Sequence, residues 1–272
     1  MARMVDLNCD MGESFGNYKI GQDDEVIKYI TSANIACGFH AGDPNVMRYT
    51  VKLAKKNNVA IGAHPGFPDL QGFGRRKIDI PPEEIKNLIT YQVGALQAIA
   101  KTEGMILQHV KPHGALYNMI ANDKKLGKAV VEAVLKIDKN LILVGLANSE
   151  IINIALKLGL KVAREGFADR AYNSDGTLVK RSIPGAVISD PDLIAERVIK
   201  MIDQQKVETI NGEIIDLQID TICLHGDNIN ALNVIKAIRK ISIAKNVKIT
   251  PLYKFIAPSM GDYLSVKVRY GG

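Results

Sequence analysis

The sequence predicts an α/β fold in which seven strand-and-helix units close into a barrel. Three observations point there. Short apolar runs alternate with longer segments of helical period from end to end, the pattern of parallel strands joined by crossover helices. All five histidines fall at the end of an expected strand or just beyond it, and none falls in an expected helix. The first strand is polar on one face, where a strand buried in an open parallel sheet would be apolar on both. Periodicity alone fits an open sheet as well as a barrel, and it is the placement of the polar residues that favours the barrel.

The first strand is expected over 4–9. Asp6, Asn8 and Asp10 alternate with Val5, Leu7 and Cys9, so a period of two puts the polar three on one face. They line a polar barrel interior on one reading and the wet face of an edge strand on the other. A helix near 23–30 leads to a strand over 31–37, where Asn34, Ala36, Gly38 and His40 share a face and small side chains leave room for a ligand. Asp43 followed by Pro44 is a cap-then-proline start for a helix over 43–57. In the strand over 59–63, Ala60, Gly62 and His64 repeat the polar-and-small pattern.

Pro81, Pro82, Glu83 and Glu84 open the next helix, over 81–103, with proline where an amide is not needed and acids at the positive dipole end. Strands follow over 105–110, 141–146 and 160–165, with helices over 122–136 and 149–158. Asp190 and Pro191 start a helix over 190–203. Asn211-Gly212 between two short apolar stretches predicts a small hairpin insertion near 207–217. A strand over 220–225 and a helix over 228–241 complete the set. No Pro/Gly/Ser-rich linker and no repeat divides the chain, so one barrel domain over 1–272 is expected.

Composition narrows the class. Of 272 residues 47% are hydrophobic and 24% charged, which suits a packed globular core. The net charge of +6 comes from scattered pairs such as Lys55-Lys56 and Lys124-Lys125, which read as solvated helix faces and not as a nucleic-acid stripe. Cys9, Cys37 and Cys223 form no C-x-x-C pair and read as reduced core residues. The N-terminal segment lacks the apolar stretch of a signal peptide, and no run approaches the length of a membrane span. A soluble cytoplasmic protein with a small-molecule substrate is the expectation.

The segments after the strands are long and rich in glycine and charge: 38–43, 64–69, 72–76, 111–118, 165–170 and 225–228. Those at the other end are brief, an asymmetry typical of an enzyme whose chemistry sits on one face of a barrel. The candidates for catalysis are Asp10, Glu13, His40, Asp43, His64, Lys111, His113, Glu165, Asp169, His225 and Asp227. Asn8, Asn34, Arg75, Arg76, Tyr117, Asn118 and Arg170 are candidates for binding substrate or phosphate.

His109 and His113 have the H-x-x-x-H spacing of a helical metal pair, but Pro112 disfavours helix at Lys111 and an ammonium between the imidazoles opposes a cation. Lys111 and His113 are read as facing an anion, and His109 as either a core or a site residue. A divalent ion on residues such as Asp10, His40 and His64 stays open. So does Gly72–Arg76, which is either a phosphate cradle or a surface loop. No P-loop, Gly-x-Gly-x-x-Gly turn or Gly-x-Ser-x-Gly elbow occurs, so no nucleotide fingerprint is present and acyl-enzyme chemistry is disfavoured.

Five segments in order, 6–13 (Asp-Leu-Asn-Cys-Asp-Met-Gly-Glu), 33–43, 62–66, 110–118 (Val-Lys-Pro-His-Gly-Ala-Leu-Tyr-Asn) and 223–227 (Cys-Leu-His-Gly-Asp), resemble the LamB/YcsF family. The resemblance implies a distorted seven-stranded (β/α) barrel similar to the glycoside hydrolase/deacetylase superfamily. It also implies the A component of an ATP-dependent 5-oxoprolinase. The implied reaction opens 5-oxo-L-proline to L-glutamate, uses ATP with magnesium as co-substrate, and involves partner subunits B and C. A homo-oligomer is compatible with it. Two other readings stand beside it: a metal-dependent deacetylase or sugar hydrolase of the same superfamily, and a non-catalytic substrate-binding subunit.

Overall fold

The structure, a computed structural model, describes residues 3–224 and 231–258. In chain order its elements are β1 (Arg3–Met11), α1 (Asp23–Val26), β2 (Ser32–Ala36), α2 (Pro44–Lys56), β3 (Ala60–His64), α3 (Pro82–Thr102), β4 (Leu107–Val110), α4 (Gly114–Ile120) and α5 (Lys124–Ile137). Then come β5 (Ile142–Leu146), α6 (Glu150–Lys157), β6 (Lys161–Phe167), α7 (Pro191–Gln204), β7 (Lys206–Glu208), β8 (Ile214–Asp216), β9 (Thr221–Leu224), α8 (Ala231–Ala244) and β10 (Val247–Ile249). Strands β1, β2, β3, β4, β5, β6 and β9 pair in that order, all parallel, and β9 pairs back onto β1. The ring is closed, so the seven-stranded barrel is correct. β10 lies outside it, parallel to residues Arg3–Val5 of β1.

The helix starts follow the local chemistry. Asp43, Asp123 and Asp190 each accept two backbone N–H groups of the first turns of α2, α5 and α7, filling donors that have no intrahelical partner. Pro44 and Pro191 stand at the first helical position, where a missing N–H costs nothing. The expected hairpin is also present. β7 and β8 pair antiparallel, and the Gly212 amide donates to the Thr209 carbonyl at 3.0 Å with φ +83°, a backbone region that glycine enters without strain.

Three elements depart from the periodicity. The helix expected over 23–30 is one α-turn followed by a 3₁₀ turn, Ile27–Tyr29. Residues 114–120, expected as loop, form α4. Its start is set by a tertiary bond, Ala115 N–H to the Gly74 carbonyl at 2.9 Å, which no local signal announces. β10 is too short to stand out in sequence and exists because the N-terminal end of β1 offers an edge for it. Among the described residues no helix is long and apolar enough to cross a membrane.

The barrel wall separates two environments. Leu7, Cys9, Ile35, Ile61, Ala63 and Leu143 are buried against the surrounding helices in one large apolar core. The other face is polar along β1, β2 and β4, while on β5 and β6 Ile142, Val144 and Ala163 pack with Leu252 and Ala257 in a second, small apolar cluster. Asp6 is fully buried and accepts hydrogen bonds from Ser32 Oγ at 2.6 Å, Thr31 Oγ1 at 2.7 Å and Thr221 Oγ1 at 2.6 Å. A bulge between β3 and β4 leaves Gln108 out of the strand pairing, and two consecutive residues then join this network. Gln108 donates to Ser32 Oγ at 2.7 Å, and His109 Nε2 to Asn34 Oδ1 at 2.6 Å. His109 is therefore part of the barrel interior, and it fits only because residue 62 is glycine: a Cβ there would stand 2.2 Å from the imidazole.

Burial raises the Asp6 carboxyl to about 6 from 3.8, against the three hydroxyl donors that favour its charge. Between those values the folded chain holds a proton that the unfolded chain has released, so this group makes folding less favourable as pH rises from about 4 to 6, by up to about 3 kcal/mol. Asp6→Asn is expected to lose that slope. Urea titrations at pH 4 and pH 6.5 check it: the wild-type stability should fall between the two by more than that of the variant, and equal falls would show that Asp6 is not the group responsible.

Candidate active site at the strand ends

Above Asp6 the interior of the barrel holds a buried ammonium. Lys111, just past β4, is 3% exposed. Its Nζ lies 3.0 Å from Asp10 Oδ1, 2.9 Å from Glu165 Oε1, 3.2 Å from Asn8 Oδ1 and 3.1 Å from Cys223 Sγ. Burial alone would lower the ammonium's affinity for its proton, but Asp10, Cys223 and Glu165 outweigh it and hold the group above its ordinary value. Glu165 is itself fully buried and satisfied: Asn8 Nδ2 donates to Oε1 at 2.9 Å and Tyr117 Oη to Oε2 at 2.6 Å. Asn34 bridges the layers, donating to Asn8 Oδ1 at 2.7 Å and Asp10 Oδ1 at 2.8 Å. Burial, Glu165 and its hydrogen bond raise the Tyr117 hydroxyl above its ordinary value, so it stays a neutral donor.

Beside the ammonium stand three imidazoles. His113 Nδ1 lies 2.9 Å from His64 Nε2, and His64 Nε2 lies 3.3 Å from Asp10 Oδ2. His40 stacks flat on His113, with centroids 3.7 Å apart and planes 4° from parallel. Burial, then the neighbouring imidazoles, push His113 down to about 3 and His40 well below its ordinary value, so both are neutral. Glycine makes the close approach feasible. At Gly74, with φ +63°, a Cβ would stand 2.7 Å from His40 Cβ and 2.8 Å from His113 Cδ2.

These groups floor and flank an open cavity of about 740 Å³. Asp10, His64, Lys111, His113, Arg75, Tyr117, Asn118 and Arg170 line it, bringing eight of the expected residues together. Asn8, Asn34 and Glu165 lie beneath them, and Glu13 and His40 behind His113, with Glu13 Oε1 4.0 Å from His113 Nδ1 and 3.8 Å from His40 Nε2. Two of the expected residues are placed away from the cavity, each with a structural partner. Asp43 caps α2 and also accepts the Gly16 N–H at 2.8 Å, so its carboxylate serves the backbone. Arg76 pairs with Asp69, its Nε 2.8 Å from Oδ1, and does not line the cavity, so Gly72–Arg76 is half structural and half site. Asp169 is buried and its carbonyl accepts the Ile188 N–H at 2.9 Å, outside the cavity lining. His225 and Asp227 lie outside the described residues.

The rest of the rim comes from the excursion between β6 and α7, where Asn173, Thr177, Lys180 and Arg181 join Lys77 in facing the cavity. Sequence reasoning missed all five; the four on the excursion lie in a segment that has neither helical nor strand period, and Lys77 lies in the loop before α3. The pair Lys180-Arg181 was the only available signal. Arg170 holds the excursion in place by donating to the Val179 carbonyl at 2.6 Å and the Ala186 carbonyl at 3.4 Å.

A parallel barrel with its cavity at the carboxyl ends of the strands, lined by an acid, imidazoles and cations, is the architecture of a barrel enzyme. The family model described as the LamB/YcsF family matches residues 5–257, and the chain belongs to that family. It is 63% identical over 252 residues to a Pyrococcus abyssi protein named as the A subunit of 5-oxoprolinase, covering 93% of this chain and 99% of the relative. A Clostridium beijerinckii protein of the same name is 56% identical over 250 residues, covering 92% of this chain and 98% of its own. Among solved structures, the lactam utilization protein of Thermus thermophilus superposes with a TM-score of 0.87 at 44% identity, over 91% of this chain and 99% of that one.

Removing the buried cation should cost more than removing an exposed one. Lys111→Met leaves Asp10 and Glu165 facing each other without it, and a loss of about 3 to 5 kcal/mol is expected. Adding Glu165→Gln to Lys111→Met should recover part of that loss. Thermal and urea unfolding measure both, and a Lys111→Met protein as stable as the wild type would contradict the caged-ion account.

Proposed function

We propose that this chain is the A subunit of a 5-oxoprolinase, opening the lactam of 5-oxo-L-proline to L-glutamate in a cytoplasmic reaction that consumes ATP, with magnesium, and two waters, and that it works with partner subunits B and C. The observation that carries the reading is the convergence of Lys111, Asp10 and the histidines in one cavity, in a chain whose near-full-length relatives are named as the A subunit of 5-oxoprolinase.

The chemistry demands such a set. A five-membered lactam is a poor electrophile; phosphorylating its carbonyl oxygen gives a carbon that one water can attack with departure of the nitrogen, and a second water then releases the phosphate. The attack needs a base for the water, a proton for the departing nitrogen, and fixed positive charge for carboxylate and phosphate. Asp10, on the cavity with Oδ2 3.3 Å from His64 Nε2, suits proton transfer. Lys111 is a poor base because its carboxylate neighbours hold its proton. It suits a fixed cation facing the developing oxyanion. Arg75, Lys77, Lys180 and Arg181 on the rim suit the substrate carboxylate and phosphoryl group. The cavity is open to one side, and an intermediate that water destroys calls for a site closed by another protein chain.

Purified chain mixed with 5-oxoproline, ATP and magnesium is expected to give no steady release of glutamate and phosphate until subunits B and C are added. Sustained turnover by the chain alone would contradict the division of labour. In the complete mixture His113→Ala should lower kcat by about 100- to 10,000-fold. An unchanged kcat would favour the reading in which this chain only presents substrate.

A further inference from the structure

We propose that His64, His113 and Glu13, with His40 beside them, form a site for one divalent transition-metal ion of the zinc type. The geometry of the hydrogen bonds carries it. His64 Nδ1 lies 2.7 Å from the Lys111 carbonyl, and His113 Nε2 lies 2.8 Å from the Phe73 carbonyl. A carbonyl only accepts, so each of these nitrogens carries its ring's proton. The remaining nitrogens, His64 Nε2 and His113 Nδ1, then both present lone pairs, and they face each other at 2.9 Å. Two lone pairs at that distance need a cation between them.

That cation is a proton or a metal, and the surroundings favour the metal. Each of Glu13, His40, His64 and His113 offers one ligand atom, and all four atoms lie within 4.8 Å of one another. A tetrahedral ion with bonds of about 2.0 to 2.1 Å to nitrogen holds its ligands about 3.4 Å apart, inside that range. Imidazoles that bind metal commonly donate their other N–H to a backbone carbonyl, which sets the tautomer and the ring orientation, and both His64 and His113 do so. His40 is fully buried, and neither of its ring nitrogens has a hydrogen-bond partner among the described residues. Its ring lies flat on His113, with Nε2 3.8 Å from Glu13 Oε1, so it walls the site on one side and leaves His64, His113 and Glu13 as the ligands.

The ammonium that sequence reasoning set against a metal is screened from this point. Asp10 stands between them, with Oδ1 3.0 Å from Lys111 and Oδ2 3.3 Å from His64. The predicted ligands also differ from the Asp10, His40 and His64 set that the sequence left open, because Glu13 and His113 converge and Asp10 is shared with Lys111. An ion held here supplies Lewis acidity and an acidified water at the edge of the cavity. The proposal rests on ligand geometry and not on the identity of the substrate.

The full chain, purified without chelators from medium supplied with zinc, manganese, cobalt, nickel and iron salts, is analysed by mass spectrometry for metal. Protein stripped with a chelator is then titrated with Co²⁺ and followed by its visible d–d bands and by thermal melting. The expected result is about one ion per chain, with a Co²⁺ spectrum of low coordination number and a melting temperature that rises with metal. His64→Ala and His113→Ala should each weaken Co²⁺ binding by about tenfold or more. Wild-type protein that carries no metal and takes up no Co²⁺ overturns the proposal and leaves a shared proton between the rings. Unweakened binding in both variants overturns it as well, by placing the ion elsewhere. The wild-type titration decides even if a variant fails to fold.

Discussion

A charged lysine inside a closed barrel must be neutralised where it stands, and much of this structure answers that requirement. Lys111 is almost wholly withdrawn from solvent at the floor of the cavity, so Asp10 and Glu165 must supply its counter-charge, and their remaining lone pairs must be filled in turn. Asn8, Asn34, Tyr117 and Thr221 complete that network, which explains why β1 and β2 carry amides and acids on the face where parallel strands usually carry aliphatic residues. The polar interior runs in layers, from Asp6 with its hydroxyls up through the amides to the ammonium and the histidines. Each layer holds the next in orientation, so the groups at the cavity are preorganised by the barrel and not by mobile loops.

The cations of the site therefore fall into two kinds. Lys111 is buried, held by four polar neighbours and kept charged by its carboxylates, suited to charge that develops in one place. Arg75, Lys77, Lys180 and Arg181 ring the mouth on exposed side chains, suited to capturing an anionic substrate and to meeting whatever closes the cavity. The excursion that carries Lys180 and Arg181 is tied to the barrel by Arg170, whose guanidinium is spent on two carbonyls. A residue expected to bind phosphate thus positions the ones that face the opening.

Much of this was legible in the sequence. The alternation Asp6, Asn8, Asp10 against Val5, Leu7, Cys9 described the interior and exterior of β1 correctly, because β1 pairs with β2 and β9 without a bulge and so keeps a strand's period of two. His40, His64, Lys111 and His113 were found by their place at strand ends. What stayed hidden depends on contacts distant in sequence. Asp43 and Arg76 carry the right chemistry in the right loops, yet one is consumed by a helix cap and the other by Asp69. The interior position of His109 follows from a bulge that periodicity cannot register, and α4 begins at a bond to Gly74 that only the folded barrel supplies.

The account stands most directly on the charge state of Lys111. Selective ¹⁵N labelling of lysine and NMR observation of the Lys111 Nζ across the neutral and alkaline range measure it without reference to any substrate or partner. The caged-ion account predicts an ammonium signal that persists through neutral pH and up to at least the ordinary lysine range, about pH 10. A titration of Lys111 with its midpoint near neutrality would contradict it. Lys111 would then be a proton carrier in place of the site's fixed cation.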